Sequence, residues 1–437
     1  MSRYPLTQLE ALKAPGRYSM VGGPFGSKLV SRDYVDQGVP VIRGGNLPKD
    51  CRFSFDDLVF VTEDKVASDL LGNLAFPGDI VVTQRGTLGQ VGLIPSSSPY
   101  AKLVVSQSQM KLTVDPAKAD PVFVYYALKS PVGQHEIHSR AITAGVPHIN
   151  LSSFQQILLP CPPLSTQRKI AAILSAYDDL IENNDRRVKL LEESATRLYR
   201  EWFVDFRYPG HENVRLVDSG LGPIPEGWKV RQLQDVAQAD RGLSWDRTQE
   251  VESGGLAIIT IPNVQARLQL GEMTHLTAVG SADADKYSLK GGDTVLVGSN
   301  GNPERVGHAV WIPEGMETLF ASFLMRVRSD PSQLGSAVLH MQLKDPRLTD
   351  AWRSSAIGST SLRNIRLTTL RTSSVLVPSV RVLSRTEPIL RNLLSVRDSW
   401  DRASSILRVT RDLLLPRLVS GQIDVADLDI SMPEAAA

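Results

Sequence analysis

The chain has 437 residues, more than one hydrophobic core usually organises, so two to three domains are favoured over a single small module. Hydrophobic residues make up 42% and charged residues 22%, a composition that excludes a disordered or fibrous chain. Its 48 basic and 47 acidic residues give a formal net charge of +1, so the bulk charge gives no support for a polyanion-binding protein.

The sequence also carries information about location. No stretch approaches about 18 uninterrupted apolar residues, and the N-terminal residues lack a basic-then-apolar export signal. Cys51 and Cys161 are too few for a framework of disulfides. These features predict a cytoplasmic protein with no membrane contact.

The first predicted domain, residues 1–161, reads as mixed α and β. Short β-rich runs are punctuated by Gly and Pro turns, and Val122 to Ser130 has a helical pattern between them. The runs are Val39 to Arg43, Ile80 to Thr83 and Leu103 to Val114.

A long helix is predicted next, within residues 162–210. Heptad position a holds Leu174, Ile181, Val188, Ala195 and Trp202, and position d holds Ile170, Tyr177, Asn184, Leu191 and Leu198. All except Asn184 are apolar, and a 3.5-residue apolar period kept over several heptads indicates a coiled coil. A buried polar residue such as Asn184 can fix the register of such a pair.

The second half repeats this order. The linker Gly222 to Trp228 leads into a second mixed domain, residues 211–380, and a second helical region covers residues 381–430. The β-rich runs are Ala257 to Ile261, Thr294 to Val297 and Phe320 to Val327. The same heptad frame, shifted by 219, puts Leu393, Trp400, Leu407 and Leu414 at a, and Ile389, Val396, Ala403 and Thr410 at d.

An internal repeat links the two halves. Phe76 to Pro95 reads FPGDIVVTQRGTLGQVGLIP, and Leu289 to Pro313 reads LKGGDTVLVGSNGNPERVGHAVWIP. Ile149-Asn150-Leu151 likewise aligns with Ile365-Arg366-Leu367 at the same offset of about half the chain. The predicted fold class is therefore α+β: two similar mixed α/β domains separated by a long antiparallel two-helix coiled coil, related by a pseudo-twofold internal repeat.

Motifs for covalent chemistry are not convincing. The loop Gly22 to Lys28 has neither the GxGxxG order nor the Gly-Lys-Ser/Thr ending of loops that bind phosphate. Pro160 to Pro163 is not the tetrapeptide of amino-methyltransferases. His135 and His138 have no third metal ligand at a suitable spacing. The chain is therefore predicted to be non-catalytic and to hold no metal. A divergent nuclease that uses Asp57, Glu63 and Lys65 is kept as an alternative, although their spacing is tight for a metal site.

Two similar domains on paired helices suit a long polymer with repeating geometry. Helices of this length span about 45 to 50 Å, and DNA half-sites that present the same groove face lie about 34 to 36 Å apart. The physical reading leaves two functions open. One is a reader of an asymmetric, two-part DNA site, and the other is a duplicated scaffold that joins two protein partners without reading DNA.

Three segments resemble a known family. They are PPLSTQRKIAAILSAYDDLIENNDRRVKLLEESATRLYREWFVDF from Pro162 to Phe206, GPIPEGWKVRQL from Gly222, and PRLVSGQIDVADLDI from Pro416 to Ile430. Together they are similar to the specificity subunit of Type I restriction-modification systems. The second helical region departs from the family by opening as PSVRVLSRTEPIL from Pro378, without the Pro-Pro-Leu-x-x-Gln run.

The resemblance implies a non-catalytic reader of double-stranded DNA. It implies that residues 1–161 and 211–380 are target-recognition domains, that residues 162–210 and 381–430 are helical regions, and that residues 431–437 are a tail. The implied partners are two adenine-specific methyltransferase subunits and, in the full assembly, two restriction-translocase subunits. No cofactor is implied for this chain, because S-adenosylmethionine would belong to the methyltransferase.

Polar residues at the diverged turns are the predicted DNA contacts, because Arg, Asn and Gln read base edges while Lys and Ser hold phosphates. In the first domain these are Lys28, Arg43, Asn46, Gln84, Arg85, Gln107 and Gln109. In the second they are Arg241, Arg247, Asn263, Ser299, Asn300, Asn302 and Arg305. The segment Met341 to Ser420 has a local charge of +8, from fourteen basic and six acidic residues, and can face phosphate or an acidic partner.

Overall fold

The computed structural model describes residues 3–143, 145–271, 273–356 and 363–430. Contacts divide the chain into two compact units. The first unit is Met1–Asn184 with Ala403–Ala437, and the second is Asp185–Arg402. Each unit is built from small sheets with helices packed against them, around its own hydrophobic core.

The described residues of the first unit form ten short strands. They are β1 (Leu6–Gln8), β2 (Met20–Gly22), β3 (Val39–Ile42), β4 (Val59–Val61), β5 (Leu74–Ala75), β6 (Ile80–Thr83), β7 (Val91–Leu93), β8 (Leu103–Val105), β9 (Gln109–Leu112) and β10 (Leu158–Pro160). The helices are α1 (Leu9–Leu12), α2 (Glu63–Lys65), α3 (Pro121–Lys129), α4 (Pro131–Ser139), α5 (Leu151–Gln155) and α6 (Leu164–Tyr199), of which α6 continues into the second unit.

The second unit has fourteen strands within its described residues. They are β11 (Leu216–Val217), β12 (Ile224–Pro225), β13 (Lys229–Gln232), β14 (Ala237–Arg241), β15 (Glu250–Val251), β16 (Leu256–Ile259), β17 (Thr274–Leu276), β18 (Thr294–Val297), β19 (Ser299–Asn300), β20 (Ala309–Trp311), β21 (Leu319–Phe320), β22 (Leu324–Ser329), β23 (Arg363–Asn364) and β24 (Ser374–Val377). The helices are α7 (Ser281–Tyr287), α8 (Ser336–Leu343), α9 (Pro346–Ser355), α10 (Leu367–Arg371) and α11 (Val380–Ser420), of which α11 ends in the first unit.

The strand order shows the internal repeat. One sheet of the first unit has the order β2-β9-β6-β7, and its counterpart in the second has the order β14-β22-β18-β20. The register matches as well, since Ile80 pairs with Leu112 and Thr294 pairs with Val327. In each unit a further sheet contains one parallel pair, β3 with β8 and β16 with β21. The repeat predicted from the sequence is therefore present in the fold.

A buried aspartate fixes the same turn in both units. Gly78 and Gly292 have positive φ of 90° and 89°, a conformation that favours glycine, and an aspartate follows each. Asp79 accepts a hydrogen bond from the Phe76 main-chain N–H, and Asp293 from that of Lys290, both at 2.8 Å. The Gly-Asp pair that marks the repeat in the sequence is thus a structural signal for the turn before β6 and β18.

The two long helices contact each other within each unit. In the first unit Asp178 of α6 pairs with Arg411 of α11 at 2.5 Å. In the second unit the Arg187 guanidinium lies 4.4 Å from the centre of the Trp400 ring, and Glu192 lies 3.9 Å from Arg397. Within the second unit, residues further along α6 therefore contact residues that come earlier in α11. The two segments run antiparallel there.

Burial follows the predicted heptad frame on α6 and departs from it on α11. The a positions Leu174, Ile181, Val188 and Ala195 are buried, as are Ile170 and Asn184 at d, whereas Tyr177, Leu191, Leu198 and Trp202 are partly buried. On α11 the buried series is Leu390, Arg397, Ser404, Arg411 and Leu418.

The frame predicted for the second helix is therefore wrong by one position. Leu393, Val396, Trp400, Leu407 and Leu414 are only partly buried, and Ile389 is 44% exposed. The prediction considered apolar residues only, whereas Arg397 and Arg411 occupy two positions of the buried face of α11. The helix also continues through Pro416 to Ser420.

A buried histidine in α8 predicts a pH effect on stability. His340 is fully buried against Thr294, and burial, together with Lys344 and Arg397, holds its pKa well below the usual 6.5. The folded chain therefore keeps His340 neutral, while the unfolded chain takes up a proton below that pH. As the pH falls below 6.5, we expect the free energy of unfolding to drop by up to about 1.4 kcal/mol per pH unit.

The variant His340→Gln should lack this dependence of stability on pH. Urea unfolding of the wild type and the variant at pH 7 and pH 5.5 measures how much the free energy of unfolding of each changes with pH. His135→Gln is the control, because His135 is exposed and its loss should leave the slope of the wild type unchanged. Equal slopes for the wild type and His340→Gln would contradict the assignment.

Candidate nucleic-acid interface

Three turns meet at one edge of the sheet in each unit, held by matching main-chain hydrogen bonds. In the first unit, the N–H groups of Gln84 and Arg85 donate to the Ser108 carbonyl at 2.8 and 3.3 Å, and that of Ile149 donates to the Gln84 carbonyl at 2.9 Å. We name residues 84–85, 107–109 and 148–149 the first turn cluster.

The second unit repeats this frame. The N–H groups of Gly298 and Ser299 donate to the Phe323 carbonyl at 2.9 and 3.1 Å, and that of Ile365 donates to the Gly298 carbonyl at 2.9 Å. We name residues 298–300, 322–324 and 364–365 the second turn cluster. The two clusters are therefore built on one main-chain plan.

In the first turn cluster the structure brings together several of the predicted contacts. The Gln84 amide donates to the Gln107 carbonyl at 2.6 Å, and the Gln107 amide donates to the carbonyls of Gly26 and Leu29 at 2.7 and 2.8 Å. These bonds hold the turn that carries Lys28 beside the cluster. Lys28 and Arg85 are exposed, so their charges are free to meet a polyanion.

A cavity of about 410 Å³ adjoins this cluster. It is lined by Leu29, Val30, Ser31, Tyr34, Arg43, Gly44, Ser106, Gln107, Ser108 and Gln109. Arg43 is exposed, and its guanidinium donates to the Asp57 carbonyl at 2.5 Å. The first unit thus presents a concavity lined by polar groups and by one basic residue, Arg43.

Arg241 organises the second turn cluster. Its guanidinium donates to Asn364 Oδ1 and to the Ile365 carbonyl, each at 2.7 Å, and Ser299 Oγ donates to the same Asn364 oxygen at 2.8 Å. Burial lowers the pKa of Arg241, and within the described residues no carboxylate pairs with it. A guanidinium with only neutral partners keeps an electrostatic attraction for phosphate.

The remaining candidates of the second unit lie on turns. Asn300 Oδ1 accepts from the Asn302 N–H at 2.8 Å, and Asn302 Oδ1 accepts from the Glu304 N–H at 3.0 Å. Asn302 and Arg247 are exposed, and Asn300 is partly buried. The structure does not place Arg247 in the second turn cluster, since it begins the separate short turn Arg247–Gln249.

Burial corrects four of the expected base contacts. Asn46 and Asn263 occupy equivalent interior positions, where their side-chain oxygens accept from the N–H groups of Arg43 and Thr260 at 2.9 and 2.8 Å. Their amides donate to main-chain carbonyls, among them those of Ser54 and Gln269. Gln109 and Ser299 are also buried. These four side chains stabilise turns and cannot reach a base edge without a rearrangement.

Arg305 is the fifth correction, because it braces a turn instead of facing solvent. Its guanidinium donates to the carbonyls of Ile261 and Val264 at 3.2 and 2.7 Å. Gln90 makes the equivalent bonds in the first unit, to the carbonyls of Gly44 and Leu47 at 3.2 and 3.3 Å. The two residues therefore have the same structural role.

We expect Arg305→Ala to destabilise the second unit by about 1 to 3 kcal/mol, because two carbonyls lose a charged donor. Arg305→Gln is the matched variant, since glutamine already makes these bonds in the first unit, and it should lose less than half as much. Amide hydrogen exchange in the turn after β16 measures both. Unchanged exchange together with an altered DNA preference would restore Arg305 as a base contact.

Sequence reasoning missed His148 and Asn364 at the centre of the two clusters. His148 bridges to Arg85, and Asn364 pairs with Ser299. The signal was present, because these residues immediately precede the aligned triplets Ile149-Asn150-Leu151 and Ile365-Arg366-Leu367. The exposed Phe323 was missed as well. It lies at the position where the first unit has the polar Ser108.

The side chains suggested for a nuclease do not converge. Lys65 pairs with Asp69 at 2.9 Å and with Asp33 at 3.6 Å, and Glu63 pairs with Lys102 at 2.7 Å. Across the described part of the chain, no group of three His, Cys, Asp or Glu residues is placed to hold a metal ion. None of the helices described is both long and apolar enough to cross a membrane.

Comparisons with known proteins agree on one family. A family model described as the Type I restriction modification DNA specificity domain matches residues 27–193 and 225–380. The Type I restriction enzyme MjaIX specificity subunit of Methanocaldococcus jannaschii is 22% identical over 364 residues, covering 81% of this chain and 79% of the relative. The EcoKI specificity subunit of Escherichia coli strain K12 is 22% identical over 375 residues, covering 84% and 78%.

The fold is also found among solved structures. The S subunit of a Type-I restriction-modification system from M. genitalium superposes with a TM-score of 0.63 at 17% sequence identity, and the match covers 96% of both chains. At this identity the likeness establishes a shared fold.

Proposed function

This chain belongs to the Type I restriction modification DNA specificity family, and from that premise we propose that it is the non-catalytic DNA-reading subunit of a Type I restriction-modification complex. It reads an asymmetric, two-part site on double-stranded DNA, with one half-site for each target-recognition domain. These domains are residues 1–161 and 211–380. Residues 162–210 and 381–430 form the antiparallel two-helix coiled coil that separates them.

The helical regions dock two methyltransferase subunits, and a full assembly adds two restriction-translocase subunits. Methylation of adenine then takes place on the partner, which also holds S-adenosylmethionine. The complex acts in the cytoplasm, where its DNA lies. The contacts of α6 with α11 in each unit support the helical pairing that this proposal requires.

The observation that carries the proposal is that the two turn clusters have the same main-chain hydrogen bonds but different side chains. Equivalent positions of the two turn clusters hold Arg85 and Ser299, Ser108 and Phe323, and His148 and Asn364. A sequence reader needs a rigid support and variable donors and acceptors at the groove edge. Two clusters with one frame and different chemistry are suited to two different half-sites.

Nine of the fourteen predicted residues remain as proposed DNA contacts. They are Lys28, Arg43, Gln84, Arg85 and Gln107 in the first unit, and Arg241, Arg247, Asn300 and Asn302 in the second. Arg85 and Arg241 are the sharpest tests, because Arg85 belongs to the first turn cluster and Arg241 bonds to two residues of the second. Neither has a carboxylate partner among the described residues.

Mapping of adenine methylation tests the proposal in a host that carries this chain and its methyltransferase. Arg85→Ala should relax one half-site and Arg241→Ala the other, each by about 1 to 3 kcal/mol of discrimination. The control is Arg17→Ala, an exposed arginine before β2 and so at the far end of that strand from the cluster. It should leave the methylated sequence unchanged.

Three results would count against the assignment. Equal weakening on every duplex would make Arg85 and Arg241 phosphate contacts. An unchanged methylation pattern in both variants would remove the turn clusters from base recognition. A complex that binds methyltransferase subunits and no DNA would favour the duplicated scaffold that joins two protein partners.

A further inference from the structure

Two exposed phenylalanines lie at the turn clusters, one in each unit. Phe25 is 83% exposed and Phe323 is 51% exposed. All eleven phenylalanines of the chain lie in its described part, and the only other exposed one is Phe76. A single exposed apolar side chain is common at a protein surface. Two at the same edge of two separate units indicate that this edge meets a partner with an apolar face.

Phe25 lies on the turn that follows β2, beside the first turn cluster. The Gln107 amide donates to two carbonyls of this turn. The Gly23 N–H donates to the Gln109 carbonyl at 2.8 Å. A Cβ at position 23 would collide with the Ser106 carbonyl, so glycine is needed for this close approach. The turn that carries Phe25 is therefore held against the turn before β9.

The second unit has the same pair of neighbouring turns. The Gly242 N–H donates to the Leu324 carbonyl at 3.3 Å, and the Ser322 N–H donates to the Leu243 carbonyl at 2.8 Å. A Cβ at position 242 would also collide with a main-chain carbonyl of the neighbouring turn. The loop after β14 therefore lies against the turn before β22, and this second turn carries Phe323.

The exposed ring is carried by different turns in the two units. Phe25 follows Gly23 by two residues, as Ser244 follows Gly242, and Phe323 is equivalent to Ser108. Each unit thus has one phenylalanine and one serine at these two turns, in opposite positions. Because an exposed ring is present at this edge whichever turn supplies it, the ring belongs to the surface that the edge presents.

Basic groups accompany both rings. Lys28 is exposed three residues after Phe25, and Arg85 is exposed in the first turn cluster. Arg241 precedes the loop after β14 and bonds to two residues of the second turn cluster. Cations that attract phosphates, next to aromatic rings that cover bases, are the combination by which proteins bind bases that have left a duplex stack. The charge of this surface therefore favours nucleic acid as the partner.

We propose that Phe25 and Phe323 each stack on a nucleobase of one half-site, at a step where the duplex is unstacked. The proposal rests on the function proposed above. A methyltransferase reaches its base by taking it out of the duplex, which leaves the neighbouring bases without a stacking partner. An apolar side chain that enters such a step replaces the lost contact.

Double-mutant cycles between each ring and each base test the proposal in the complex of this chain with its methyltransferase. The probe is a duplex with the site mapped by adenine methylation, in which one base at a time is replaced by an abasic residue. On the intact duplex, Phe25→Ala and Phe323→Ala should each raise the dissociation constant about 5- to 100-fold. On the duplex that lacks the stacked base, the same substitution should cost less than about twofold.

The position of the coupled base is part of the expectation. It should lie in the half-site that Arg85→Ala relaxes for Phe25, and in the half-site that Arg241→Ala relaxes for Phe323. Where the coupled base is a thymine, uracil removes only its methyl group and should leave the effect of the alanine substitution unchanged. Phe25→Tyr and Phe323→Tyr keep the ring and should bind within about twofold of the wild type.

Phe76→Ala is the matched control. Phe76 is exposed as well, but it precedes β6, whereas the first turn cluster follows that strand. Its loss should leave the dissociation constant unchanged on every duplex. Because Phe25 and Phe323 are exposed too, their alanine variants should unfold at the same urea concentration as the wild type.

The proposal fails if both alanine variants bind the intact duplex as tightly as Phe76→Ala does. The proposed function stands in that case, provided that the wild-type complex methylates its site. Equal losses on every abasic duplex would make the rings supports of their turns, and losses that disappear with uracil would make them contacts to thymine methyl groups. Either result overturns the stacking. A wild-type complex that binds no DNA would overturn the proposed function itself.

Discussion

Asp178→Ala is expected to destabilise the first unit by about 3 to 5 kcal/mol, because it leaves the guanidinium of Arg411 buried without its main partner. Tyr126 also donates to Asp178 at 2.6 Å and would lose its acceptor. Burial lowers the pKa of Arg411, but Asp178 and Asp412 outweigh burial, so its pKa is raised and the group stays charged. Amide hydrogen exchange of α3 measures the loss.

The neighbouring Asp179→Ala is the control. Asp179 pairs with Arg52, but its side chain is largely exposed, so its loss should cost no more than about 1 kcal/mol. The double variant Asp178→Leu with Arg411→Met should recover most of the stability, because it removes both charges and keeps the volume. If Asp178→Ala lowered the free energy of unfolding by less than about 1 kcal/mol, the Arg411 guanidinium would be shown to bind water or another carboxylate in the variant.

Asp79→Ala is expected to cost about 3 to 5 kcal/mol in the first unit as well. Asp79 lies 3.0 Å from the Lys111 ammonium and contacts Thr113, and Lys111 is only 4% exposed. Without the carboxylate, the buried ammonium would keep only the Thr113 hydroxyl as a hydrogen-bond acceptor, and the Phe76 N–H would lose its acceptor. Hydrogen exchange of β6 and β9 measures the loss.

The repeat supplies the comparison for this prediction. Asp293→Ala removes the equivalent carboxylate, whose partner Arg328 lies at 2.7 Å and is 26% exposed. Arg328 can turn towards water, so we expect a smaller loss in the second unit than in the first. Equal losses would mean that the aspartate acts through the turn alone, since the main-chain hydrogen bond is the feature that both units share.

The repeat and the secondary structure could be predicted because their signals are local. The Gly-Asp turn with its positive φ, the apolar run of β6 and the heptads of α6 each depend on residues close in the chain. The frame of α11 could not be predicted in this way. Arg411 occupies the buried face because of Asp178, which is 233 residues away.

In the candidate interface, too, some features could be predicted from the sequence and others could not. The repeat indicated which turns to consider, and Lys28, Arg43 and Arg85 are exposed there. It could not show that Arg305 would bond to carbonyls 41 and 44 residues away. A polar side chain in a turn needs a partner, and the sequence does not say whether that partner is main chain, water or DNA.

By itself, the sequence determined the duplication, the mixed α and β character of each half, the two long helices and the family, because all of these follow from local patterns and their recurrence. Only the tertiary structure decided that Asn46, Asn263 and Arg305 serve the turns, and that Arg397 and Arg411 lie on the buried face of α11, next to carboxylates of α6. The physical reason is that burial and hydrogen-bond partners are set by residues distant in the chain, which no local pattern encodes.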